Sequence, residues 1–197
     1  MTESHHRLRA WEERYRQGKT GWDRGQVSPA LRRWLDAGLL PEGRVLVPGC
    51  GHGHEISALV RAGCQVTAVD IAPTPVLLLQ SRLAEEGLHA KVVQADLLHW
   101  TPSEPFEAVY EQTCLCALDP GHWREYERRL AGWLVPGGKL FALFMQTHRE
   151  GGPPYHCAVP DMRQLFGEKD WQWPEDGPLV VAHPNGFNEE GYVLVRR

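Results

Sequence analysis

The chain has 197 residues, 42% of them hydrophobic, with a formal net charge of −4 and no lysine–arginine block. That length suits one domain with a three-layer core, and the composition is that of an ordinary globular protein. The charge speaks against nucleic acid, no apolar run is long enough to span a bilayer, and the N-terminus, MTESHHRLRAWEER, lacks the apolar core of a signal peptide. A cytoplasmic monomer acting on a small molecule is therefore expected.

The five cysteines, Cys50, Cys64, Cys114, Cys116 and Cys157, are odd in number, which argues for free thiols. Cys50-x-His52-x-His54 has ligand-like spacing. It sits in a glycine turn that already has a use, and no partner cluster completes a site, so no metal is expected.

In chain order, Leu8, Trp11 and Tyr15 fall on one face of a helix ending at Gly18. KTGWDRGQVSP follows, a loop with Trp22 between two glycines. Such a helix face either packs on a sheet, as amphipathic helices do, or covers a ligand as a lid. Residues 1–38 are expected to form an N-terminal helical lid on a single domain covering 1–197. Ser28 and Pro29 give the cap and first residue of a second helix, with Leu31, Trp34 and Leu35 inward and Gly38 closing it.

The organising stretch is Val45 to Gly53, VLVPGCGHG. A buried strand runs into glycines at 49, 51 and 53, and a helix starts at His54. Gly49 permits a turn that a side chain would forbid. Gly51 and Gly53 let the main chain approach a ligand lying across the helix N-terminus. A second strand, Val66 to Val69, ends in Asp70, placed to accept both hydroxyls of a ribose. A third, Lys91 to Ala95, ends in Asp96. Turn and carboxylates lie at one sheet edge and describe a pocket for an adenosine-containing cofactor.

Between the second and third strands, Thr74 and Pro75 are expected to start a helix that buries Val76, Leu79 and Leu83. Phe106 to Tyr110 is the fourth strand, running into EQTCLCAL, so Glu111 and Gln112 emerge at the ligand edge. Asp119 and Pro120 cap a long helix with Trp123, Tyr126 and Leu130 inward. Pro136-Gly137-Gly138 is a turn into a fifth strand, Lys139 to Met145. GGPPY, 151–155, is a loop at the ligand edge, and Pro160 begins a short helix. Leu179 to His183 and Tyr192 to Val195, with no helix between, should pair antiparallel. The alternation predicts an α/β fold with a mostly parallel sheet covered on both faces.

The glycine spacing is G-x-G-x-G, not the G-x-G-x-x-G of a dinucleotide site, and no lysine with Ser or Thr follows as in a phosphate loop. The stretch resembles motif I of class I S-adenosylmethionine-dependent methyltransferases. Val47 stands where most of that superfamily has an acidic residue, so the amino acid end of the cofactor must be held by other groups. WEERYRQGKTGWDRG, VLVPGCGHGHE, the strand ending in Asp70, YEQTCLCAL and GGPPY together resemble the thiopurine S-methyltransferase family, with its halide, thiocyanate and thiol methyltransferases. The resemblance runs from Trp11 to Val195.

That resemblance implies a Rossmann-like class I methyltransferase fold, with a seven-stranded sheet closed by a C-terminal antiparallel hairpin. It implies S-adenosyl-L-methionine as cofactor and methyl transfer to a small soft nucleophile: a thiol, a thiopurine, hydrosulfide or a halide. Trp11, Tyr15 and Trp22 match the family's N-terminal cofactor-contacting aromatics. Gly49, with Cys50, Gly51 and Gly53, matches motif I. Asp70 with Ile71 matches the ribose end, and Asp96 with Leu97 the adenine end. Gln112, counted with the cofactor residues, falls where the thiopurine enzymes have arginine and the halide enzymes often tyrosine. Trp22, Cys114 and Tyr155 are the expected acceptor walls. No catalytic residue is assigned: a thiol ionises near neutrality and a halide has no proton to lose. Glu111 is the best-placed carboxylate, with a structural role as plausible. A non-catalytic cofactor-sensing protein and an NAD-dependent oxidoreductase remain as alternatives.

Overall fold

A computed structural model describes residues 2–197. Among the described residues, six α-helices run α1 Glu3–Arg16, α2 Pro29–Asp36, α3 His54–Arg61, α4 Pro73–Glu85, α5 Trp123–Trp133 and α6 Val159–Leu165. The strands are β1 Arg44–Pro48, β2 Gln65–Asp70, β3 Lys91–Gln94, β4 Phe106–Gln112, β5 Leu134–Gln146, β6 Trp171–Gln172, β7 Leu179–Ala182 and β8 Asn188–Arg196. They form one sheet in the order β3-β2-β1-β4-β5-β8-β6, with β7 also on β8. β1 to β5 are parallel, and β8 enters antiparallel to β5.

Strand periodicity divides the core. Val45 and Val47 of β1 face a cluster with Leu31 and Trp34 of α2, Ile56 and Leu59 of α3, and Leu79 of α4. Leu46, between them, faces the opposite cluster with Tyr126, Leu130 and Trp133 of α5 and Met162 of α6. Successive residues of a strand point to opposite faces, so a continuous apolar run marks a sheet covered on both sides.

Several expectations shift in detail. The outer strand is two pieces rather than one, because WPEDGP interrupts it, so the sheet has eight strands and not seven. β6 pairs with Val195 and Arg196, and β7 with residues 188–191. β5 starts at Leu134, since Leu134 pairs with Phe106 and Pro136-Gly137-Gly138 is a bulge in the strand rather than a turn before it. α4 starts at Pro73, one residue before Thr74, and has no side-chain cap. The Thr74 hydroxyl and amide instead bind Glu12 of α1, at 2.6 and 3.0 Å. Among the described residues, no helix is long and apolar enough to cross a membrane.

At the β1–α3 junction the chain turns through Gly49, Gly51 and Gly53, all at positive φ. Gly53 has φ +66°, and a Cβ there would stand 2.7 Å from Leu79 Cδ1 of the core. Backbone strain and overpacking act together at this position. Gly53→Ala should cost about 2–4 kcal/mol, read as a lower urea midpoint at unchanged slope. An unchanged midpoint would contradict this account of the turn.

Glu111, in the last turnward residues of β4, is buried, and its carboxylate accepts the Leu115 amide at 2.6 Å. Burial, with the nearby charge of Glu189, pushes its carboxyl up from 4.5 to about 8 against the pull of that amide. The folded chain therefore holds this proton more tightly than the unfolded chain. Stability from this group is highest at low pH and falls as pH rises between about 4.5 and 8. Urea midpoints at pH 5 and 8 should differ more for the unaltered protein than for Glu111→Gln. Equal slopes would show that Glu111 does not titrate in this range.

Candidate functional site

The sheet order reverses between β1 and β4, where chain connections leave in opposite directions and open a crevice at the strand C-termini. A cavity of about 290 Å³ occupies that crevice. Gly49 after β1 and Thr113 after β4 line its floor, and Thr113 itself has φ +59°. A Cβ on Gly49, at φ +58°, would come within 2.9 Å of Cys114 Sγ. Any larger residue would fill the crevice.

On the β2–β3 side the walls are Asp70, Ile71, Asp96 and Leu97. Asp70 is 5% exposed, and its two carboxylate oxygens each accept a backbone amide, from Gly51 at 3.0 Å and Ala72 at 2.9 Å. Burial pushes this carboxyl up, and the two amides oppose it. Asp96 behaves differently. Burial would raise it, but donors from Ser4, Arg7, the Leu98 amide and His99 hold it down at about 2. The Arg7 contact is 2.7 Å.

α1 lies across the mouth. None of its residues is fully buried, because its inner face looks into the cavity rather than onto the sheet. Arg7, Trp11, Arg14 and Tyr15 line the space. The helix is tied down at Arg7–Asp96 and Glu12–Thr74. Trp22 meets Trp11 and Tyr15 edge to face, with centroids 5.4 and 5.5 Å apart. Burial and the charge of Asp70 raise the Tyr15 phenol strongly, against a hydrogen bond from Trp22.

The β5 side is lined by Cys114, Cys116, Leu118, Met145, Pro153 and Pro154. It carries no carboxylate: the two acids in the lining are Asp70, which ends β2, and Asp96, which follows β3. Burial raises the Cys114 and Cys116 thiols well above their ordinary value, so neither is a base near neutrality. Arg7, Arg14, Lys19, Thr113 and Asn185 add further polar groups to the cavity lining.

Of the residues singled out in the sequence, the cavity gathers Trp11, Tyr15, Trp22, Gly49, Asp70, Ile71, Asp96, Leu97 and Cys114. Cys50, Gly51, Gly53 and Gln112 line an adjoining cleft with Trp22 and Gly49 instead. Gln112 is turned there by two hydrogen bonds: its amide donates to Glu189 at 3.1 Å and accepts from Tyr110 at 2.8 Å. Tyr155 lies outside both spaces. Its amide is bound to Cys116 O, its ring packs on Gly152, and Pro153 and Pro154 take the wall expected of it. Arg149 stacks on Phe187, away from the lining. Arg7 and Lys19 were missed. The four-residue spacing Arg7, Trp11, Tyr15 is the signal that would have found Arg7, whereas Lys19 follows the helix and carries no periodicity.

The residues present fit an adenosyl sulfonium. Acidic groups stand at one end, aromatic faces that attract a cation at the middle, and main chain at Gly49 leaves room for close approach. The thiopurine S-methyltransferase (TPMT) family model matches residues 6–176. Thiocyanate methyltransferase 1 of Brassica oleracea is 32% identical over 189 residues, covering 92% of this chain and 82% of its own. Thiopurine S-methyltransferase of Pseudomonas syringae pv. tomato is 27% identical, covering 95% and 97%. Among solved structures, the 1,6-didemethyltoxoflavin-N1-methyltransferase of Burkholderia thailandensis, with S-adenosylhomocysteine bound, superposes with a TM-score of 0.76 at 19% identity, over 100% and 91%. The chain therefore belongs to the thiopurine S-methyltransferase family and is an S-adenosylmethionine-dependent methyltransferase.

Proposed function

We propose that the acceptor is a small soft nucleophile that arrives anionic or ionises readily: a low-molecular-weight thiol, hydrosulfide or a halide, in preference to a thiopurine. The observation that carries this reading is the β5 end of the cavity, which is apolar and has no general base. An acceptor that must lose a tightly held proton would find no group there to take it. Glu111 is nearby in sequence but buried behind the wall and bound to the Leu115 amide. His156 accepts the Thr147 amide and is absent from the lining. The Brassica relative is named for thiocyanate, a soft anion, which supports the same class.

When bound, the cofactor supplies a methyl group already activated on a sulfonium. Asp70 would take the ribose hydroxyls with the lone pairs its two amides leave free. Ile71 and Leu97 would flank the adenine, with Asp96, engaged by Arg7, closing that end. Trp11, Tyr15 and Trp22 would face the sulfonium. The chain's remaining tasks are to hold the nucleophile in line and exclude water. The apolar walls at Leu118, Met145 and Pro154 suit both, and Lys19 at the rim gives an incoming anion a favourable potential. With Val47 buried in the core, the amino acid end is assigned in this reading to Lys19, Thr113 and the Trp22 loop, which line the same cavity.

If Asp70 holds the ribose, Asp70→Ala removes hydrogen bonds to a charged acceptor, each about 1.5–3 kcal/mol, and S-adenosylhomocysteine affinity should fall by about one to two orders of magnitude. Calorimetry on a folded variant with unchanged affinity would reject that placement. For the acceptor, a competition assay with iodide, a small thiol and a thiopurine should give the highest kcat/KM to the first two. A clear preference for the thiopurine would overturn the proposed acceptor class.

A further inference from the structure

Asp23, in the loop that carries Trp22, meets two histidines of the glycine turn. Its Oδ2 is 2.7 Å from His52 Nδ1, and its Oδ1 is 2.8 Å from His54 Nε2. One ligating atom from each residue can be chosen so that all three lie within 4.8 Å of one another. His52 Nδ1 is buried and, despite its closeness to Asp23, lacks the alignment of a hydrogen bond. All three side chains line the cleft beside the cofactor cavity, a space of about 50 Å³, enough for a cation with a water. The cleft's guanidinium, Arg24, is neutralised by Glu189 at 2.7 Å. Cys50, the third member of the Cys-x-His-x-His run, is turned into the core. The ligand completing the set comes from about thirty residues earlier in the chain.

We propose that Asp23, His52 and His54 form a binding site for a borderline divalent transition-metal cation, of the Zn²⁺ or Co²⁺ type. Two imidazole nitrogens and one carboxylate oxygen suit such ions rather than Mg²⁺ or Ca²⁺, which prefer an all-oxygen shell. Three protein ligands leave a further position to water. The cation would pin the Trp22 loop to the turn between β1 and α3 and so fix one wall of the cofactor cavity from outside. It takes no part in methyl transfer, and its absence would leave the methyltransferase reading intact.

The test is a titration of the full chain with Co²⁺, read by visible absorption, followed by displacement with Zn²⁺. One Co²⁺ per chain is expected, displaced by one Zn²⁺. Removal of an outer-shell partner alone costs metal sites about 10–100-fold in affinity, so Asp23→Ala and His54→Ala should each weaken binding at least that much. His148→Ala is the control, because His148 and His156 form a competing pair of imidazoles with centroids 4.7 Å apart. In the unaltered protein, Zn²⁺ should also slow amide exchange over residues 20–25 and 50–55, which needs no variant to fold. Three results would overturn the proposal: no Co²⁺ bound at high-micromolar concentration, binding that survives Asp23→Ala but not His148→Ala, or no slowing of exchange in those two segments.

Discussion

The ligand edge depends on the Asp70 carboxylate. Its oxygens bind the Gly51 amide on one side and the Ala72 amide on the other, so one buried charge fixes both the turn after β1 and the turn after β2. Those turns leave backbone donors that the strands cannot satisfy, and a buried unpaired donor costs about 1–3 kcal/mol. Aspartate at the end of β2 removes that cost at two points. The same constraint sets the ligand geometry, because a carboxylate anchored by two amides cannot rotate away from whatever lies over Gly49. Fold and site share this group, which is why a strand ending in aspartate beside a glycine turn carries so much information.

The division between what was legible and what was not follows range. Strand, turn and helix at Val45–Arg61 were legible because each signal is local: an apolar run, glycines at alternate positions, then helical periodicity. Asp70 and Asp96 were legible because they end strands whose order the alternation fixes. The aromatic cluster of Trp11, Tyr15 and Trp22 came from the family resemblance, since no periodicity links a helix to a loop. The two-piece outer strand escaped because a two-residue strand such as Trp171–Gln172 has no pattern of its own. Tyr155 and Gln112 stand outside the main cavity for a related reason. Sequence order brings a residue to the ligand edge, but hydrogen bonds to Asp119, Glu189 and Tyr110 decide which way it turns there. The joining of Asp23 to His52 and His54 is a contact between a loop and a turn, and was hidden entirely.

Charge is distributed along the cavity in a way that suits transfer from a cation. The acids, Asp70 and Asp96, end β2 and follow β3, α1 brings aromatic rings and the guanidiniums of Arg7 and Arg14, and the lining after β4 and β5 is a neutral wall. The Cys114 and Cys116 thiols belong to that wall and Glu111 lies outside it, and burial keeps all of them protonated near neutrality. The wall is therefore uncharged, and under the proposed acceptor class a low local dielectric would strengthen the attraction between an anionic nucleophile and a sulfonium.

Position 112 shows how a departure from the family pattern is absorbed. Glu189 is fully buried and its carboxylate binds Arg24 of the Trp22 loop at 2.7 Å. Burial lifts this carboxyl to about 7, and Arg24 and Gln112 pull against the rise. In a buried pair of this kind, removing or diverting one partner strands the other. An arginine at 112 would stand beside Glu189 and compete with Arg24 for it. Glutamine donates one hydrogen bond to Glu189 and accepts one from Tyr110, leaving the carboxylate's charge to the loop. The residue that sequence reasoning treats as a clue to the acceptor is thus bound into the anchor of the Trp22 loop. In this chain the neutral side chain at the tip of β4 and the cation at the base of the Trp22 loop are two halves of one arrangement.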